Sequence, residues 1–125
     1  MPQTKVLLID DDDQIAGSLR HYLAVQGCDV DVAVEHLSAT DLMRSRAYGV
    51  VVVDPYLTGG VHMEDGKLLH AITLLQPKAS IIVVTGYGSP ELVQFASASK
   101  VALLSKPQSV VALSELIFGA LRDAS

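Results

Sequence analysis

Short apolar runs rich in β-branched residues alternate along this 125-residue chain with segments of helical periodicity, five of each kind. This alternation is typical of an α/β protein, because neighbouring parallel strands need a helical crossover between them. The runs 5–9, 50–53 and 81–84 are almost continuously apolar. Strands of that composition are covered by helices on both faces, so we predict that these three lie at the centre of a parallel sheet.

The two remaining runs indicate the order of the strands. Asp29-Val30-Asp31-Val32 alternates acidic and apolar residues, so one face of that strand meets water and the strand belongs at an edge. The run 101–104 is short. A flavodoxin-like sheet of order 2-1-3-4-5 has its second and fifth strands at the edges. We therefore predict a flavodoxin-like (βα)5 fold, a five-stranded parallel sheet of that order with helices on both faces.

Apolar residues at helical spacing indicate which helix faces are buried. The first predicted helix ends at Gly27, the second is a weaker pattern around 39–47, and the fourth begins at Ser89, ahead of Pro90 at the first helical position. The residues expected to face the interior are Ile15, Leu19, Tyr22 and Leu23 in the first helix, Leu68, Ile72 and Leu75 in the third, and Leu113, Leu116, Ile117, Ala120 and Leu121 in the last.

Length and composition limit the class of protein. Half of the residues are apolar and 18% are charged. This composition indicates that residues 1–125 form one compact domain, without an output domain. The net charge of −5 argues against direct binding of nucleic acid or of an anionic membrane. No apolar run approaches the roughly 18 residues of a membrane span, and no basic leader precedes one, so we expect a cytoplasmic protein without membrane insertion. Cys28 is the single cysteine and is interpreted as a small apolar residue.

Polar residues suited to phosphoryl chemistry stand at the ends of four predicted strands. They are the start of the run Asp10-Asp11-Asp12-Asp13, then Asp54, Thr85 and Lys106. The carboxyl ends of parallel strands meet at one edge of a sheet, where ligands bind in open α/β folds. Adjacent carboxylates repel each other, so such a cluster holds a divalent cation or raises its own pKa values. We interpret it as a magnesium site.

Each of these residues has a chemical task in that interpretation. A carboxylate at Asp54, on the central strand, can attack a phosphoryl group and form an aspartyl-phosphate. Asp10 and Asp11 would supply oxygen ligands to Mg²⁺, a hard cation that needs only one or two carboxylates besides phosphate oxygens. Thr85 offers a hydroxyl and Lys106 a positive charge to the phosphoryl oxygens.

At these residues the chain resembles the receiver domain of bacterial two-component response regulators, over essentially its whole length. The resemblance implies that Asp54 is the phosphoacceptor, that Asp11 of the acidic pair binds Mg²⁺ directly, and that the backbone carbonyl of Tyr56 completes the metal shell. It also implies that Thr85 supplies the switch hydroxyl and that Lys106 is the lysine characteristic of the family. The segments that carry it are Val6-Leu7-Leu8-Ile9-Asp10-Asp11, Val50-Val51-Val52-Val53-Asp54, Val83-Val84-Thr85-Gly86 and Leu103-Leu104-Ser105-Lys106-Pro107.

The same resemblance implies a function and partners. The phosphoryl donor is expected to be a phosphohistidine of a sensor histidine kinase or phosphotransfer protein. Phosphorylation would switch the surface of the fourth helix, fifth strand and fifth helix, which would control an unidentified output partner and permit dimerisation. Such a domain is a signalling switch rather than a turnover enzyme, because it catalyses only its own phosphorylation and dephosphorylation.

The chain departs from the family pattern at several positions. Thr58 stands where receivers usually have a proline, the segment 58–65 is a few residues longer than usual, and Leu103 replaces a residue that is commonly aromatic. Two other functions fit parts of the pattern. A degenerate receiver would bind partners without being phosphorylated, and a haloacid-dehalogenase-like phosphatase would use Asp10 as its nucleophile. The intact acidic pair, Asp54, Thr85 and Lys106 argue against the degenerate receiver. Gln14 stands where the phosphatase motif has Thr or Val, and the chain is short for that family, so both observations argue against the phosphatase.

Overall fold

The computed structural model describes residues 5–10, 13–54, 65–85, 94, 101–105 and 108–123. The fourth predicted helix lies outside the described residues except for Gln94, which is helical. Asp11, Tyr56 and Lys106 also lie outside them.

Five strands and four helices occur in the described part of the chain. All neighbouring strands pair in parallel, in the order β2-β1-β3-β4-β5. The predicted flavodoxin-like sheet is therefore confirmed. The strands are β1 (Lys5–Ile9), β2 (Asp29–Ala33), β3 (Val50–Val53), β4 (Ser80–Thr85) and β5 (Ala102–Ser105), and the helices are α1 (Asp13–Val25), α2 (His36–Ser45), α3 (Asp65–Leu75) and α4 (Val110–Asp123).

The core consists of two hydrophobic layers, one on each face of the sheet. Successive side chains of a strand point to opposite faces, so Val6 and Leu8 of β1 pack in one layer while Leu7 and Ile9 pack in the other. The first layer includes buried residues of α1 and α4, and the second includes residues of α2 and α3. Helices therefore cover both faces, as predicted, and the central strands are buried except at Lys5 and Ser80, the first residues of β1 and β4.

The edge position of β2 and the end of α1 are confirmed. β2 pairs only with β1 among the described strands, and its Asp29 is exposed. After α1, Gly27 has a φ of 96°, which is the left-handed conformation that glycine adopts without a steric penalty. Leu19 and Leu23 of α1 are buried as expected.

One helix face was predicted too broadly. Leu113, Ile117 and Leu121 of α4 are buried, but Leu116 is 41% exposed. The three buried residues form a stripe at intervals of four, and Leu116 lies about 100° around the helix from Ile117, at the margin of that stripe. In addition, α2 begins at His36, ahead of the predicted segment, and β5 is displaced by one residue to Ala102–Ser105.

None of the helices described here is long and apolar enough to cross a bilayer.

Candidate functional site

The ends of β1 and β3 bring two predicted site carboxylates side by side. Ile9 pairs with Val53 across these neighbouring strands, so Asp10 and Asp54 follow at the same level. The Asp54 N–H donates to the Ile9 carbonyl at 2.9 Å. The Asp10 N–H donates to the Ala33 carbonyl of β2 at 3.1 Å. Both backbones are thus fixed by the sheet, roughly 5 Å apart at the spacing of adjacent strands.

Thr85 reaches the same edge from the next strand. It is the last residue of β4 and is 3% exposed. Val53 pairs with Val83, so Asp54 lies level with Val84 and Thr85 lies one residue further along. The sheet therefore collects the hydroxyl-bearing residue beside the two carboxylate-bearing residues.

The strand β5 leads the chain back toward Thr85. Ser105 pairs with Thr85 in the β4–β5 ladder, and Lys106 is the next residue in the sequence. The positions of Lys106, Asp11 and Tyr56 fall outside the described residues, so their roles stay predictions. Asp11 belongs to the two-residue connection between Asp10 and the described start of α1.

A cavity of about 320 Å³ adjoins the carboxylates between the sheet, α1 and α4. Asp10, Asp54 and Gln108 are among its lining residues, and the other described ones are aliphatic. Aliphatic walls keep the local dielectric constant low, which strengthens the attraction between carboxylates and a bound cation. Gln108 was not predicted; its Nε2 donates to the Ser105 carbonyl at 2.8 Å, and no sequence motif marks it.

The donor set at this edge fits a hard cation. Carboxylate oxygens are the ligands that Mg²⁺ prefers, and one or two suffice when phosphate and water complete the shell. Within the described residues, no three acidic, histidine or cysteine side chains converge as a metal site. The predicted ligand set extends beyond those residues, through Asp11 and the carbonyl of Tyr56.

Leu103 occupies a position at which the family pattern commonly has an aromatic residue. It is half-buried and packs against the core layer formed by α2, α3 and the sheet. An aliphatic side chain at this place therefore contributes to the core.

Comparisons with known proteins agree on one family. The model for the response regulator receiver domain matches residues 6–118. The photosynthetic apparatus regulatory protein RegA of Rhodobacter capsulatus is 29% identical over 87 residues, which are 67% of this chain and 44% of that protein. The chain thus spans less than half the length of this curated relative.

Two solved structures resemble the chain closely. A CheY-like response regulator receiver domain protein from Methanospirillum hungatei has a TM-score of 0.86 and 27% identity, covering 98% of this chain and 96% of that one. A response regulator protein from Burkholderia pseudomallei, solved with a phosphorylated aspartic acid, a calcium ion and citrate, has a TM-score of 0.78 and 30% identity. That match covers 94% of this chain and 66% of the other.

Proposed function

This chain belongs to the family of response regulator receiver domains, and we propose that it is a switch controlled by phosphorylation of Asp54. The proposed donor is a phosphohistidine of a sensor histidine kinase or phosphotransfer protein. The observation that carries the proposal is the placement of Asp10, Asp54 and Thr85 at the same edge of three adjacent strands.

In the proposed reaction, a carboxylate oxygen of Asp54 forms a bond to phosphorus while the bond from phosphorus to the donor's imidazole nitrogen breaks. The electron pair of that bond leaves with the imidazole. The backbone of Asp54 is held by its hydrogen bond to the Ile9 carbonyl, so the residue that carries the attacking carboxylate is fixed at the end of β3 before the donor arrives. Such positioning lowers the entropic part of the barrier.

The residues proposed to hold Mg²⁺ are Asp10, Asp11, Asp54 and the backbone carbonyl of Tyr56. When bound, the ion neutralises the charge that accumulates on the phosphoryl oxygens. Asp10 contributes to this role from a fixed position, because its backbone is anchored to Ala33 of β2. The phosphorylated aspartic acid and calcium ion of the Burkholderia pseudomallei protein support this proposal by analogy.

Thr85 and Lys106 are proposed to bind the phosphoryl oxygens once they are on Asp54. Phosphorylation adds about two negative charges, and the Thr85 hydroxyl and Lys106 ammonium would compensate them. Ser105 of β5 pairs with Thr85 and directly precedes Lys106 in the sequence. The proposed output surface consists of the fourth predicted helix, β5 and α4, which is the fifth predicted helix, and it would transmit the change to an output partner or to a second copy of the chain. In this proposal the domain signals and does not turn over a separate substrate.

Magnesium titration tests the metal part of the proposal. We expect Mg²⁺ to shift the amide resonances of Asp10, Asp54 and Thr85 with a single-site isotherm, and Asp11→Asn to weaken binding by at least about tenfold. Asp41→Asn is the matched control, since it removes the same charge from an exposed position on α2. If both variants weaken binding equally, the ion is responding to net charge and the proposed ligand set is wrong.

A further inference from the structure

A second cleft, of about 500 Å³, lies at the opposite end of the sheet. It is formed by the last turns of α2 and α3 and by the connections that lead into β3 and β4. Gly49 borders this cleft and directly precedes β3, whereas Asp54 directly follows β3. Five steps along an extended strand separate the two by about 16 Å.

The lining of this cleft is cationic in a chain that is acidic overall. Arg44, Arg46 and Lys78 line it, and all three are exposed. No Asp or Glu occurs among the described lining residues. The whole chain has nine Lys and Arg residues against 14 Asp and Glu residues, so three of its nine cationic side chains border one concave surface. This arrangement makes the cleft, which we call the basic cleft, a local region of positive potential.

Neighbouring carboxylates cancel only part of this charge. Asp31 of β2 accepts a hydrogen bond from Arg46 Nη1 at 3.2 Å and another from the Tyr48 hydroxyl at 2.7 Å. Among the described side chains, no carboxylate lies within ion-pair distance of Arg44 or Lys78. At least two positive charges of the basic cleft are therefore available to an anionic partner.

Cations near helix carboxyl ends also have an ordinary explanation, because they offset the partial negative charge of the last carbonyls. Here the buried side-chain amide of Gln76 already binds some of these carbonyls. Gln76 Nε2 donates to the carbonyls of Met43 and Arg46, at 2.8 and 2.7 Å. Its Oε1 accepts the Tyr48 N–H at 2.9 Å. Gln76 joins the end of α2 to the end of α3 and so fixes the floor of the basic cleft, whereas the side chains of Arg44 and Lys78 are exposed to solvent.

We propose that the basic cleft docks an acidic segment of a partner protein, a short extended stretch rich in Asp and Glu. A compact anion such as phosphate is favoured at helix amino termini, where N–H groups converge. The basic cleft is instead bordered by helix carboxyl ends, and its positive charge sits on long side chains from separate segments. Several carboxylates distributed along a peptide match that charge better than one compact anion.

The location gives this docking site a distinct use. Since the basic cleft is about 16 Å from Asp54 along β3, a bound segment leaves the phosphoacceptor edge accessible. A partner held at the basic cleft would have a raised effective concentration at Asp54. The docking itself depends on Arg44, Arg46 and Lys78 and does not require phosphorylation.

The test is fluorescence anisotropy with a fluorescein-labelled octaglutamate peptide at low salt, followed by the same titration at higher salt. We expect saturable binding that weakens with salt. The double variant Arg44→Glu/Lys78→Glu should weaken it by about tenfold or more, because two rim contacts become repulsive. The control Arg20→Glu/Arg122→Glu makes the same net-charge change at exposed positions outside the basic cleft. The two double variants are compared at about 0.15 M ionic strength, where the Debye length is about 8 Å, and there the control should change binding by less than about twofold.

The outcomes decide the proposal. Equal weakening by both double variants, or the absence of saturable binding to the wild type, would overturn it. Competition by inorganic tripolyphosphate as strong as that by unlabelled octaglutamate would also overturn it, in favour of a compact anion. Thermal melting monitored by circular dichroism verifies that every variant is folded. The variant Asp54→Asn should bind the peptide as the wild type does, which separates this test from that of the proposed function.

Discussion

Replacing Gln76 with leucine should destabilise the protein strongly although the two side chains are similar in size. Gln76 is 5% exposed and uses both ends of its amide, donating to the carbonyls of Met43 and Arg46 and accepting the Tyr48 N–H. Leucine keeps most of the packing volume and removes all three hydrogen bonds. The experiment therefore isolates the polar contribution.

The magnitude follows from which groups lose their partner. The Tyr48 N–H and the Met43 carbonyl make buried hydrogen bonds, whereas the bond to the Arg46 carbonyl is partly buried and its acceptor can bind water. Two buried groups left unsatisfied at roughly 1.5 kcal/mol each cost about 3 kcal/mol. Burial of the leucine side chain offsets up to about 1 kcal/mol. We expect the free energy of unfolding to fall by about 2–3 kcal/mol, a large part of the 5–15 kcal/mol typical of a domain.

Urea unfolding monitored by circular dichroism measures this change. Gln26→Leu, at an exposed position after α1, is the control and should alter stability by less than about 0.5 kcal/mol. If Gln76→Leu also changes the free energy of unfolding by less than about 0.5 kcal/mol, water reaches the vacated groups and the reasoning is wrong.

Three further predictions concern stability. Burial and the hydrogen bond to Asp31 raise the pKa of the Tyr48 phenol, so the unfolded state ionises first above about pH 10 and stability is lost as pH rises from there. In Tyr48→Phe the urea midpoint should fall less steeply above about pH 10 than in the wild type. The same variant should lower the free energy of unfolding at neutral pH by about 1 kcal/mol, because the hydrogen bond to Asp31 is lost. The hydrogen bond from Lys5 lowers the pKa of Asp29, so their pair stabilises the fold above about pH 4 and is lost as pH falls. In urea unfolding, Asp29→Asn should make the free energy of unfolding less dependent on salt and on pH below about pH 4. A free energy of unfolding that falls with acid as steeply as in the wild type would contradict this. Ile72→Ala, at a fully buried site, should cost about 2–5 kcal/mol, whereas Leu74→Ala at an exposed site should cost less than about 0.5 kcal/mol by the same measurement.

The sheet was predictable because its signals are local in sequence. The bounds of β1 and β3 coincide with the predicted runs, since a strand buried on both faces is almost continuously apolar; the exception is Lys5, the half-buried first residue of β1. The displaced β5 shows the limit of this signal. Its last residue, Ser105, belongs to the strand through its pairing with Thr85, and apolarity alone does not mark it.

The approximate positions of the helices were predictable, but which residues of each helix are buried was less predictable. Leu116 was placed in the interior because it is apolar and at helical spacing, although the packing of α4 against the sheet selects the narrower stripe at Leu113, Ile117 and Leu121. For α2, Leu37 in the first turn is 68% exposed, so no large buried residue marks the start of the helix at His36.

The residues at the ends of the strands were predictable from the sequence, whereas the hydrogen bonds at the opposite end of the sheet were not. Asp10, Asp54 and Thr85 were predicted to meet because strand ends coincide in a parallel sheet, and their backbones do meet. The network at the opposite end had no such signal. Gln76 bonds to groups 28 to 33 residues away in sequence, and contacts of that separation leave no periodic pattern in the chain.

Intact-mass spectrometry after incubation with acetyl phosphate, with and without Mg²⁺, shows whether Asp54 is the phosphoacceptor when the wild type is compared with Asp54→Asn. We predict one phosphoryl adduct on the wild type that requires Mg²⁺ and is absent from the variant. An adduct that persists on Asp54→Asn would contradict the assignment of the phosphoacceptor. The absence of any adduct, under conditions that label another receiver domain, would contradict the phosphorylation-controlled switch and favour a binding module that works without phosphorylation.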